Sequence, residues 1–164
     1  MNIPIGTLVE ENISLKGTDI KQKISTLLEQ GFTGYLVLTV EGRSGIEEGL
    51  LLLKNGLAVG AIYEYVKFAK SFYGDHAFEQ LFNSSLAEFG VMDIGSLSKQ
   101  QVELIIAFNE KIEFKKALEP KELEKLVPKK FDADVAEKAL GKKFKKKESK
   151  FDVFKKLGLG GVSK

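Results

Sequence analysis

The chain contains no cysteine and no tryptophan. Without cysteine there are no disulfides, no thiolate metal sites and no cysteine nucleophile. One histidine, His76, stands alone in 164 residues, so no paired-histidine spacing exists to start a zinc site. Arg43 is the only arginine beside 24 lysines, and arginine is the usual bidentate reader of guanine. Uncharged apolar runs fall far short of the roughly 18 residues that cross a bilayer. The opening "MNIPIGTLVEEN" has neither a basic nor an apolar leader segment, so no signal peptide is expected and the cytoplasm is the expected location.

Hydrophobic residues make up 43% and charged residues 29%, which suits one globular domain with an appendage. Lysine and glutamate enrichment with few labile side chains is hyperthermophile-like. A body of about 110–120 residues buries roughly two-thirds of its unfolded surface. Charge is unevenly spread. Residues 142–164, "KKFKKKESKFDVFKKLGLGGVSK", carry +7, whereas residues 1–141 carry −5.

Hydrophobic spacing supplies the elements. Residues 1–17 read as extended or irregular. Ile20, Ile24, Leu27 and Leu28 form one helical face, predicting a helix over 18–30 with Thr18 as its cap. "TGYLVLTVE" (33–41), "IEEGLLLLK" (46–54) and "LAVGAIYEYV" (57–66) read as strands. Asn55-Gly56 between the last two is a type I′ hairpin signal, and Gly60 suggests a bulge or a close backbone approach. A helix is expected over 74–84 with Asp75 as cap, a strand over 87–94, and a helix from 98 to about 116 with Ser96 or Ser98 as cap. The expected fold is α+β: a mostly antiparallel sheet with helices on one face, followed by a helical, Lys-rich C-terminal extension.

The run "GYLVL" (34–38), "GLLLLKNGLAVGAIYE" (49–64), "GDHAFEQLF" (74–82) and "EFGVMDI" (88–94) resembles the PATAN domain pattern over about residues 18–114. It also resembles an archaeal family of unknown function with the same core. These motifs are turn and core residues. The resemblance implies a non-catalytic module for regulation and protein–protein contact, with no catalytic or ligand residues to carry over. The expected organisation is a PATAN-like α+β domain over 1–116, a short helical linker region over 117–141, and a basic amphipathic tail over 142–164.

No constellation points to catalysis, a metal or a cofactor, and none is expected. His76 in "GDHAFE" lacks converging ligands. Glu47, Glu48 and Glu64 sit on one hairpin, but adjacent strand residues face opposite sides, and a solvated edge accounts for them. "GLGG" (158–161) lacks the strand, helix and Lys-Ser/Thr of a phosphate loop. The helix from residue 98 is apolar on more than one side: Leu104 and Phe108 stand apart from the stripe of Val102, Ile105, Ile106 and Ile112. Aromatics crowd residues 63–73. The second side of that helix is covered either by residues 1–17 or 119–140 or by a second copy of the chain, which makes Leu104, Phe108, Tyr63 and Tyr65 candidates for a homodimer interface.

The tail holds Phe144 among its lysines. Phe151, Phe154 and Leu157 then fall at i, i+3 and i+6, one face of a short helix too small to be stable alone. Lys142, Lys143, Lys145, Lys146, Lys147, Lys150, Lys155 and Lys156 surround them. This pattern fits an anionic partner: nucleic acid or a ribonucleoprotein first, an acidic protein groove second. A membrane is disfavoured, since the helix is short and no lipid-anchoring cysteine exists. The expected function is a non-catalytic homodimeric adaptor that binds RNA or the ribosome. Its plan is similar to that of small ribosome-associated dimerisation or hibernation factors, which silence translation. The alternative is a PATAN-like regulatory module that does not bind nucleic acid.

Overall fold

The computed structural model describes residues 4, 6–42, 45–126, 128–132 and 134–141. Seven strands form one sheet: β1 (Thr7–Ser14), β2 (Gly34–Gly42), β3 (Gly45–Lys54), β4 (Leu57–Tyr65), β5 (Lys70–Tyr73), β6 (Gly90–Ser96) and β7 (Glu113–Leu118). Their order is β1-β6-β2-β3-β4-β5, with β7 also paired to β4. Every pairing among them is antiparallel. The helices are α1 (Ile20–Glu29), α2 (Asp75–Ser84), α3 (Lys99–Phe108), α4 (Pro120–Leu126) and α5 (Asp134–Leu140). The α+β class is as expected.

Local chemistry fixes the joints. Asn55 and Gly56 both take positive φ, 52° and 75°, so the β3–β4 turn is the I′ type that suits the sheet's twist. At Gly60 the register slips by one residue, as Leu52 faces Gly60 and Leu53 faces Ala58. A Cβ at Gly60 would lie 2.6 Å from the Ile112 carbonyl oxygen. The bulge and the close approach are thus one feature: β4 bends where the chain entering β7 crosses it.

Two caps differ from expectation. Asp19, not Thr18, caps α1, its carboxylate accepting from the Gln22 amide at 2.9 Å. Thr18 instead donates its hydroxyl to the Ser14 carbonyl at 2.6 Å. Gly74 occupies the N-cap of α2, and Asp75 lies inside the first turn. Ser98 does cap α3, in a reciprocal box with Gln101. That helix ends at Phe108 rather than near 116, because Asn109 leaves helical geometry at φ −142°. A 3-10 turn over 110–112 follows, and then β7.

The sheet carries a core on each face. On the first face α1, α2, α4 and α5 cover Leu36, Leu38, Leu51, Leu53, Met92 and Ile94. On the second, α3 and the segment around Ile112 cover Tyr35, Leu50, Leu52 and Ile62. The helices were expected on one face. Four of the five are there, and α3 is the exception. The cause lies in the half of β2 to β4 that holds Tyr35, Val37, Leu50, Leu52 and Ile62, where the strands are apolar on both sides and the second face needs a cover.

Candidate interaction surfaces

Tyr63 and Tyr65 are interior groups, each only 1% exposed, so they offer nothing to a second subunit. Strand parity explains this correction. Ala61, Tyr63 and Tyr65 alternate onto the first face, while Ile62 and Glu64 take the second. The Tyr63 hydroxyl donates to Glu47 Oε2 at 2.6 Å. Glu47 is itself 5% exposed, not part of a solvated edge. A Cβ on Gly42 would collide with its carboxylate, so the glycine opens the seat that Glu47 fills. Burial, reinforced by the nearby Glu47 charge, pushes both tyrosine hydroxyls well above the ordinary phenol range. Tyr65 extends the cluster through edge-on contacts with Tyr63 at 5.3 Å and Phe72 at 5.9 Å.

Leu104 and Phe108 behave differently. They are 52% and 78% exposed on the outer side of α3, four residues apart and therefore neighbours on the helix surface. Val102 and Ile105 face inward on the same helix. Phe108 also borders a recess of about 460 Å³ lined with Tyr73, Ala107, Asn109, Glu110 and Lys111. Tyr73 is 38% exposed and pairs with Ile62. Exposed aromatic side chains beside a recess match the composition of interface cores. The aromatic crowding at 63–73 pointed to this neighbourhood; the strand register shows which member reaches it.

Beyond α3, the second face is open and polar. Cross-strand neighbours form a row: Ser71, Glu64, Glu48, Thr39 and Val91. All five are half-buried. Glu48 faces Glu64 directly, a like-charge pairing that destabilises a sheet by a few tenths of a kcal/mol, about 0.2–1. Asp93, in the next row, accepts the Asn12 amide at 2.7 Å.

His76 is exposed near the start of α2. Among the described residues no three His, Cys, Asp or Glu side chains converge to hold a metal ion. No described helix is long and apolar enough to cross a membrane. The tail residues Lys142, Lys143, Phe144, Lys145, Lys146, Lys147, Lys150, Phe151, Phe154, Lys155, Lys156 and Leu157, and the "GLGG" run, lie outside the described residues.

No curated protein and no solved structure matches the chain. A family model does, over residues 1–109. That span runs from the first residue to the end of α3, taking in six strands and three helices and stopping before β7. Its description is an uncharacterized protein conserved in archaea (DUF2226), and to that family the chain belongs.

Proposed function

We propose that the protein is a non-catalytic homodimeric adaptor that binds RNA or a ribonucleoprotein, the ribosome above all, and that it silences translation there as a hibernation factor does. One observation carries this reading: +7 of charge is confined to residues 142–164, beside a body of −5. Such a segment attracts a polyanion, while the body it hangs from repels one. The exposed pair Leu104 and Phe108, with Tyr73 at the recess, supports the dimer. Two tails on one particle raise effective affinity without new contacts.

Cytoplasmic ribosomes and RNA supply the phosphate. Lysine suffices for phosphate contact, whereas arginine is the usual reader of guanine. Phe151, Phe154 and Leu157 would seat in an apolar pocket of the target. Co-sedimentation with ribosomes or total RNA tests this, comparing the full chain with a chain lacking residues 142–164. The full chain is expected to pellet at low salt. If six lysines engage phosphates, affinity falls by roughly three decades between about 50 and 200 mM salt. Equal pelleting of the truncated chain would defeat the proposal.

A second reading is a PATAN-like regulatory module that recruits a protein through its body. The outer strand β1 supports it, with Leu8 and Val9 each 50% exposed on a strand whose other side has no pairing partner among the described strands. This reading expects removal of the tail to leave partner capture intact.

A further inference from the structure

We propose that the open half of the sheet's second face is the docking surface of the chain's own tail, with Lys142 to Lys150 lying across Ser71, Glu64 and Glu48 toward Thr39 and Val91. Three observations converge on it.

The first is coverage. The apolar cluster on this face reaches Val37, Leu50 and Ile62 and goes no further. The next row is half-buried, with Glu48 and Glu64 opposed across β3 and β4. Among the described residues neither carboxylate has an ion-pair partner. The strand positions of this half-face hold Glu48, Glu64 and Asp93 but no lysine or arginine. Opposed carboxylates at the centre of a sheet favour a cationic cover that relieves their repulsion.

The second is the exit of the chain. The Ala139 carbonyl near the end of α5 accepts from Lys70 Nζ at 2.6 Å. Lys70 begins β5, the strand at this end of the sheet, and shares the first face with its partner Tyr65, whereas Ser71, next along, opens the acidic row on the second. The tail therefore starts beside the margin of the face it would cover, with only that margin to turn.

The third is length and sign. From Ser71 to Val91 the row crosses five strands, about 19 Å at normal strand spacing. Nine extended residues reach about 30 Å. Residues 142–150 hold six lysines and one glutamate, opposite in sign to the surface below.

Docked in this way, the tail's lysines are sequestered by carboxylates until a stronger polyanion draws them off. The inference does not depend on which polyanion that is, or on whether one exists. The test needs only the full-length chain. Since the chain has no cysteine, Ser149→Cys provides a single attachment point for a nitroxide label. In nitrogen-15 spectra at low salt, the amide signals of Thr39, Glu48, Glu64, Ser71 and Val91 should lose most of their intensity. They should recover at about 0.5 M salt, where screening falls to a few ångströms. They should also recover in Glu48→Gln with Glu64→Gln, whose otherwise unchanged spectrum verifies the fold.

Three results would overturn the proposal. One is no broadening anywhere on the body. Another is broadening centred on Leu104, Phe108 and Tyr73, which would seat the tail's aromatics at the recess instead. The third is equal broadening when label-free nitrogen-15 chains are mixed with labelled nitrogen-14 chains, which would place the tail on a second copy.

Discussion

The two faces of the sheet are built from the same strands and finished differently. The first is roofed by four helices, and its interior holds Phe82, Leu81 and Met92 at 1% exposure or less. Helix α2 packs Phe78 against Phe82 at 4.4 Å and against Phe114 of β7 at 5.7 Å. Among the described residues the second face has one ten-residue helix, over Tyr35, Leu50, Leu52 and Ile62. That helix turns Leu104 and Phe108 to solvent and leaves Glu48 opposite Glu64 beyond its edge. A face closed by its own chain serves stability. A face left half-closed, with an apolar ridge and a charged floor, is the side on which the proposed dimer contact lies.

Substitutions can break this contrast. The largest effect is expected on the roofed face. Phe82→Ala should cost about 3–5 kcal/mol in urea unfolding; a loss below about 1 kcal/mol would mean that this core is not what holds the fold. Glu47→Leu comes next. It leaves the buried Tyr63 hydroxyl without its acceptor, at about 1–3 kcal/mol.

The same cluster gives a pH signature. The folded chain holds the Tyr63 proton well above the ordinary value of 10.0. Its contribution is fully present below that value. Above it the unfolded chain releases a proton that the folded chain keeps, so stability falls with rising pH, by about 1.4 kcal/mol per unit. Unfolding titrations between pH 9 and about 12 should show that decline, and Tyr63→Phe should make it shallower.

On the half-closed face, Leu104→Ser and Phe108→Ser should each change monomer stability by no more than about 0.5 kcal/mol, as exposed positions do. Glu103→Gln, which removes the exposed ion pair with Lys54, should leave the melting temperature unchanged. A large loss at Leu104 or Phe108 would show that the ridge of α3 belongs to the fold rather than to an interface.

Much of the roofed face was legible in the sequence. The stripe of Ile20, Ile24, Leu27 and Leu28 gave α1, and Asn55-Gly56 gave the β3–β4 hairpin. What stayed hidden was the sheet's margin. β1, "TLVEENIS", is almost wholly exposed and shows no alternation, since an outer strand with register shifts after Leu8 and Glu10 has no buried face to select for one. β5 is four residues long, below what periodicity can register. β7, "EFKKAL", read as the end of α3, because Ile112 keeps the helical spacing beyond Asn109, where the helix stops.

The interface candidates divided for a similar reason. Leu104 and Phe108 stood off the apolar stripe of their helix, which the sequence displays. Tyr63 and Tyr65 looked like surface aromatics because composition says nothing of parity. The missed signal was Glu47, which shares its side of β3 with Gly49, Leu51 and Leu53 and so was bound for the interior.

Sedimentation equilibrium of the full-length chain at micromolar concentration tests the proposed role of the half-closed face most directly. The wild type should sediment at twice the 18.2 kDa chain mass, and Phe108→Glu at the chain mass, with both retaining the same circular dichroism. A wild-type chain that stays at 18.2 kDa throughout, or a Phe108→Glu chain that still pairs, would contradict it.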